Sequence, residues 1–166
     1  MSCIFNFLKC NKYLVRKNEK NKNNIDLSNV TWKDTIPFVP PVTSGLCIKV
    51  YDGDTITIAS RIPIKDSPLY RFSVRLDGID TPEIKGKDQD EKDCAKMARD
   101  DLSKLILNKE VRLEDVKLEK YGRILAQVYL KEQNLNTWMI EQRYAVEYDG
   151  GTKKSPESWL DYHNKI

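Results

Sequence analysis

Five charged side chains in three short segments carry most of the chemistry this sequence can offer. "DGDT" at 52–55, "RLDGIDTPE" at 75–83 and "KYGR" at 120–123 supply Asp54, Asp80 and Glu83 as oxygen donors, with Arg75 and Arg123 as fixed cations. Each segment holds turn residues, so each falls where a strand ends. Such carboxylates suit a hard divalent cation such as Ca²⁺, with water and a backbone carbonyl completing its shell. An ion of that kind polarises a phosphate oxygen, and a spare carboxylate can orient or deprotonate the attacking water. Two arginines can hold non-bridging oxygens and offset the charge that develops at phosphorus, because their planar forks match phosphate and stay protonated at any working pH. The set points to phosphodiester hydrolysis.

Taken singly, each segment has a plainer reading. Asp52-Gly53-Asp54, flanked by apolar alternation, is a hairpin signal in which glycine would accept the positive φ of a type I′ turn. Arg75 alone is an exposed strand residue, Pro82 ends a strand, and Lys120 to Arg123 is a polar turn. It is their joint presence, in this order, that favours the chemistry. Other chemistries have little to work with: there is one histidine, His163, and the four cysteines, Cys3, Cys10, Cys47 and Cys94, form no C-x-x-C pair. That speaks against a zinc site, a histidine-dependent triad and a disulfide framework, and for a reduced, intracellular (cytoplasmic) setting.

The elements that must position these groups are mostly strands. Period-2 alternation marks strands at Leu46 to Val50, Thr55 to Ala59, Phe72 to Leu76, Val111 to Val116 and Ile124 to Leu130. "DEKDCAKMARDDLSKLILN" reads as a helix with Cys94, Ala98, Leu102, Leu105 and Ile106 on one face and acids in its first turn. A short helix is predicted over Asn136 to Arg143, and a last one opening at Ser155 with Pro156 in its first turn. Five short strands with interleaved helices predict a β-barrel-based α+β fold, a five-stranded Greek-key barrel of the OB type with about three packed helices.

A chain of 166 residues accommodates one such domain, 45–166, and an N-terminal appendage, 1–44. The net charge of +3 is concentrated in the appendage, where Lys9, Lys12, Arg16, Lys17, Lys20, Lys22 and Lys33 face only Glu19, Asp26 and Asp34. The barrel itself is close to neutral, so no general basic patch is predicted. Residues 1–24 read either as a loose tail or as a membrane-surface tether in which Cys3 and Cys10 carry acyl chains beside basic residues. The "WKDTIPFVPPV" segment at 32–42 reads as an extended strap. No apolar run reaches the roughly 18 residues that span a bilayer.

The sequence resembles the staphylococcal nuclease (thermonuclease) family through "VYDGDTITI", "VRLDGIDTPE", "EKYGRILAQVYL" and "NTWMIEQRYAVEY", over about residues 45–148. The resemblance implies a five-stranded OB barrel and a Ca²⁺-dependent endonuclease that acts on DNA and RNA and leaves 3′-phosphate ends. By the same match, Asp54, Asp80 and the Thr81 carbonyl would bind the metal, with Asp52 supporting them. Glu83 would hold the attacking water as base or orienter. Arg75 and Arg123 would hold the phosphate, and Lys120 and Tyr121 would contact the neighbouring one. The run "YAVEYDGGTKK" departs from the family pattern, leaving Tyr148 for base stacking and Lys153 and Lys154 for backbone phosphates. The insertion "SRIPIKDSPLY" between the second and third strands has no functional reading. Single strands are expected to be preferred, and the protein is expected to be a monomer. The alternative is a catalytically silent OB module that binds nucleic acid or protein; such modules lose the carboxylates or arginines, all of which are present here.

Overall fold

The computed structural model describes residues 27–165. Cys3 and Cys10, on which the tether reading depends, lie outside the described residues. The chain divides into two compact units, the second beginning at Pro37. In the described part of the first, Trp32–Asp34 form one turn of 3-10 helix. The Thr31 N–H and hydroxyl both donate to Asp34 Oδ2, at 2.8 and 2.6 Å. This local capping pair overrides the extended conformation predicted for the start of the strap.

In the second unit the strands are β1 (Ser44–Val50), β2 (Thr55–Ser60), β3 (Tyr70–Leu76) and the two-residue β4 (Ile79–Asp80). Helix α1 (Gln89–Ile106) follows, then β5 (Glu110–Leu118), β6 (Ile124–Leu130), β7 (Gln133–Asn134), α2 (Leu135–Glu141), β8 (Val146–Glu147) and α3 (Trp159–Asn164). Antiparallel pairing runs β3, β2, β1, β5, β6, and a parallel pairing of β3 with β6 closes these five strands into a barrel. Closure sets Val74 opposite Ile124 and Leu76 opposite Ala126. The inward positions of the alternating pattern, including Cys47, Ile56, Ile58, Val74, Leu76, Val111, Ile124, Ala126 and Val128, form the core with no exposed surface or almost none. Cys47 and Cys94 are both buried and free.

Helix α1 packs on this core with Ala98, Leu102 and Ile106 and buries Cys94 and Ala95 as well, and Asp88 caps it by accepting from the Glu91 N–H. Helix α2 starts one residue earlier than predicted, because the Asn134 side chain accepts from the Thr137 N–H at 3.0 Å. Helix α3 starts later than predicted. Ser158, not Ser155, accepts from an N–H three residues on, that of Asp161 at 3.1 Å, and Pro156 lies before the helix. Among the described residues no helix is long and apolar enough to cross a membrane. The 60–70 insertion closes on itself: the buried Ser67 hydroxyl accepts from the Ile62 N–H and donates to the Pro68 carbonyl.

Two features of this scaffold place the site. Asn136 is buried and fully bonded, its amide donating to the Asp77 and Ala126 carbonyls (2.7 and 3.2 Å) and its oxygen accepting from Val128 N–H. It pins the β3–β4 turn to the barrel wall. The other is Gly53. Its φ is not among the positive ones, which in glycine occur at Gly78, Gly122 and Gly150, so the type I′ expectation is wrong. What the position requires is space: a Cβ there would meet Thr81 Cγ2 and Cβ at 3.0 and 3.1 Å and Ala98 Cβ at 3.2 Å. The β1–β2 turn is thus packed against the chain after β4 and against α1. Gly53→Ala should therefore lose about 1–3 kcal/mol of stability, seen as a lower urea midpoint at unchanged slope.

Candidate active site

The centre of the site is one guanidinium between two buried carboxylates. Leu76 N–H donates to the Asp54 carbonyl at 2.8 Å, extending the β2–β3 ladder into the turn and drawing Asp54 alongside Arg75. Asp54 and Asp80 are 3% and 2% exposed. Arg75 Nη1 lies 2.6 Å from Asp54 Oδ2, while its Nη2 lies 3.4 Å from Asp80 Oδ1 and donates to the Ile79 carbonyl at 3.3 Å. Asp52 Oδ1 accepts the Asp54 N–H at 3.1 Å, and the Thr55 hydroxyl donates to Asp54 Oδ1 at 2.9 Å. Burial first, and the nearby Asp52 charge second, push the Asp54 carboxyl up to about 7 against the opposing pull of Arg75 and Thr55. One guanidinium does not fully offset the negative charge gathered here.

A second guanidinium comes from the β5–β6 hairpin. Gly122, with φ +84°, lets the chain turn, and Glu119 and Arg123 face each other across the turn. Glu119 accepts from Arg123 Nε at 2.6 Å and from its Nη2 at 2.8 Å, a two-point pair that holds the Glu119 carboxyl below its usual range. Arg123 Nη1 donates to Thr55 Oγ1 at 3.3 Å, so Thr55 links the second cation to Asp54. Glu83 is held from behind: Glu91 on α1 accepts from the Glu83 and Lys87 N–H groups, at 3.3 and 2.8 Å. The Glu83 side chain is 60% exposed and meets Lys153 Nζ at 2.6 Å.

Asp54, Arg75, Thr81, Glu83, Lys120, Tyr121, Arg123 and Tyr148 all line one depression of about 450 Å³, and Asp80 touches it through Arg75 and Lys153. Tyr121 is 74% exposed, with the Lys120 ammonium 4.9 Å from its ring centre. A larger depression of about 560 Å³ lies on the other side of Tyr148 and is lined by Asp77, Asn136 and Lys154 among others, away from the arginines.

The staphylococcal nuclease homologue family model matches residues 73–164, more than half of the chain. The chain belongs to this family. Curated relatives include an uncharacterized endonuclease of Haemophilus influenzae, 35% identical over 101 residues, covering 61% of this chain and 50% of that protein. The thermonuclease of Staphylococcus hyicus is 34% identical over 100 residues, 59% of this chain and 55% of its own. That of Staphylococcus intermedius is 36% identical over 104 residues, 61% and 58%. The chain thus spans about half to three fifths of the length of these relatives. The barrel seen here, five strands closed by a parallel pair with three helices against it, is the fold expected of this family.

Sequence reasoning named the residues that meet in the depression and missed those that hold them. Thr55 and Glu119 sit inside or beside the quoted motifs, and the Glu119 to Arg123 spacing across a Tyr-Gly turn is a readable signal. Glu91 has a weaker one, three residues after the Asp88 cap. The sequence does not distinguish Lys153 from Lys154, whereas the structure sets Lys153 on the acids and Lys154 on the neighbouring depression.

The raised Asp54 value has a measurable sign. A carboxyl that is harder to ionise when folded contributes stability that is fully present below its ordinary value of 3.8 and is lost as pH rises through about 7. In chelator, Asp54→Asn should therefore gain on the unsubstituted protein between about pH 4 and 8, by at least about 1 kcal/mol in denaturant unfolding. Parallel pH profiles for the two proteins would contradict the assignment.

Proposed function

We propose that this protein is a Ca²⁺-dependent endonuclease that hydrolyses phosphodiester bonds in DNA and RNA, leaves 3′-phosphate ends and favours single strands. The observation that carries the reading is the meeting, in one depression, of the buried Asp54, the exposed Glu83 and two guanidinium groups, each fixed by an acid of its own, with the buried Asp80 joined to them through Arg75. The names of the relatives, thermonuclease and endonuclease, support the same substrate class.

The donor set fits a hard divalent ion in kind. It is all oxygen and it is buried, and burial first and the Asp52 charge second make Asp54 hold its proton against the pull of Arg75. Among the described residues no three acidic, histidine or cysteine side chains are grouped as a ready-made cage. Asp54, Asp80 and the Thr81 carbonyl would thus supply few ligands, leaving the rest to water. A Ca²⁺ ion held there would supply positive charge against a phosphate oxygen and make a neighbouring water more acidic.

The remaining work falls to the chain's own groups. Glu83, exposed at the mouth with its backbone tied to Glu91, can accept a proton from the attacking water or orient it. Arg75 and Arg123 can donate to non-bridging oxygens, and their acids hold the guanidinium planes in place before substrate arrives. Glu119 takes two of the five N–H groups of Arg123 and Thr55 a third, leaving two for phosphate. Lys120 and Tyr121 stand where an adjoining phosphate would pass, and Tyr148 offers a ring to a base. A shallow open depression suits a splayed strand better than a stiff duplex.

The test is an assay on single-stranded DNA and RNA with Ca²⁺, Mg²⁺ or chelator, followed by end-group analysis. Cleavage should appear with Ca²⁺, stop in chelator and leave 3′-phosphates. Cleavage that persists in chelator would overturn the metal dependence, and tight binding without cleavage would favour the silent-module reading. In the same assay Arg123→Ala should lower turnover by about 10² to 10³ while leaving the fold intact by circular dichroism.

A further inference from the structure

The chain returns to the acids after β8. β4 and β8 pair with Ile79 opposite Glu147 and Asp80 opposite Val146, and the Tyr148 N–H donates to the Gly78 carbonyl at 2.9 Å. The chain therefore enters this small sheet beside Asp80, leaves it beside Gly78, and must double back to reach the acids again. It turns at once: Gly150 has φ +87°, Asp149 Oδ1 accepts the Gly151 N–H at 2.9 Å, and the Tyr148 hydroxyl donates to the Gly151 carbonyl at 3.0 Å. Lys153 emerges from that turn with its Nζ 2.9 Å from Asp80 Oδ1 and 2.6 Å from Glu83 Oε1.

The two cations that touch Asp80 are not equivalent. Arg75 is 13% exposed, grips Asp54 and bonds the Ile79 carbonyl as well, so moving it would uncouple three partners. Lys153 is 45% exposed, on a flexible four-carbon stem that can turn into water with its ammonium still solvated. Its ammonium lies between two carboxylates, within hydrogen-bonding distance of both Asp80 and Glu83. It is therefore a fixed positive charge on the carboxylate assigned above to the metal. A divalent ion on the same carboxylate would lie within a few ångströms of that ammonium, where like charges repel strongly.

We propose that Lys153 is the resident counter-cation of this site: it holds Asp80 and Glu83 together before a divalent ion binds, and it must release Asp80 when one does. Lys153 then sets the apparent affinity of the site for metal by direct competition. The inference depends on the metal-dependent reading given above, and its test keeps the two apart.

The measurement is Ca²⁺ binding to the metal-stripped full chain by titration calorimetry, with no nucleic acid present. Lys153→Gln removes the ammonium and keeps a polar side chain of similar length. Lys154→Gln removes the same charge one residue on, where it does not touch the acids. Lys153→Gln should bind Ca²⁺ about three- to tenfold more tightly than the unsubstituted protein, while Lys154→Gln stays within about twofold. Lys153→Arg, which keeps the charge, should show no gain. Circular dichroism in chelator checks that each variant is folded, and Lys153→Ala replaces Lys153→Gln if the latter is not. Unchanged or weaker binding by Lys153→Gln, or an equal gain in Lys154→Gln, would overturn the competition while leaving the metal reading intact. No Ca²⁺ uptake at millimolar concentration by any of the proteins would overturn both.

Discussion

Two carboxylates buried at the mouth of a barrel are the constraint on which the rest of this structure turns. A buried charge is tolerated only when it is paired and hydrogen-bonded. Asp54 and Asp80 come from different turns, and Arg75, on the strand between them, meets both. The ion pairs therefore tie the β1–β2 turn, β3 and β4 to one another at the point where the parallel β3–β6 pairing closes the barrel. Neighbouring features serve the same end. Gly53 lets the first turn approach Thr81, and Asn136 holds the turn that leads into β4. Each removes a degree of freedom from an oxygen that would otherwise be costly to bury.

The site's charge is balanced in pairs of unequal strength. Arg75 answers Asp54 and Asp80 inside the protein, Arg123 answers Glu119 at the hairpin, and Lys153 answers Asp80 and Glu83 at the rim. Moving outward, the pairs become more exposed and so weaker, because water screens them. The inner pair is part of the fold. The outer ones sit on a scaffold already complete without them, and rearranging them does not require the barrel to open.

Much of this could be read from the sequence, for a physical reason. Each barrel strand runs six to nine residues, long enough for period-2 alternation to show over part of it even though β1 and β5 shift register, and β1 turns Cys47 inward with Leu46 and Ile48 exposed; an 18-residue helix has room to show both its cap and its apolar face. The residues in the depression lie next to Gly, Pro and Thr turn signals, which mark strand ends. What was not legible is short or distant. β4 and β8 are two residues each, too brief for any periodicity, yet they set Tyr148 beside Gly78 and start the turn that brings Lys153 to Asp80. Gly53 was assigned to turn geometry because local sequence reports φ preference but not the neighbour that would fill the space. Ser155 and Ser158 both precede helix-compatible residues, and only the Asp161 N–H in reach of Ser158 decides between them.

Under the proposed function, the same pairing would let a nearly neutral barrel offer a phosphate site. A broad basic surface would attract polyanions from a distance and make binding steeply dependent on salt. Here Arg75, Arg123 and Lys153 each already have an acid, so a phosphate alone would have to share each of these cations with the carboxylate that holds it. A divalent ion alone would gain carboxylates only by stripping cations of theirs. Under the proposed function, an ion and a phosphate presented together would divide the site, the ion on the carboxylates and the phosphate on the cations, leaving every charge paired. Such an exchange would make metal and substrate favour each other's binding without any change of backbone, because each ligand would remove the electrostatic cost the other otherwise meets.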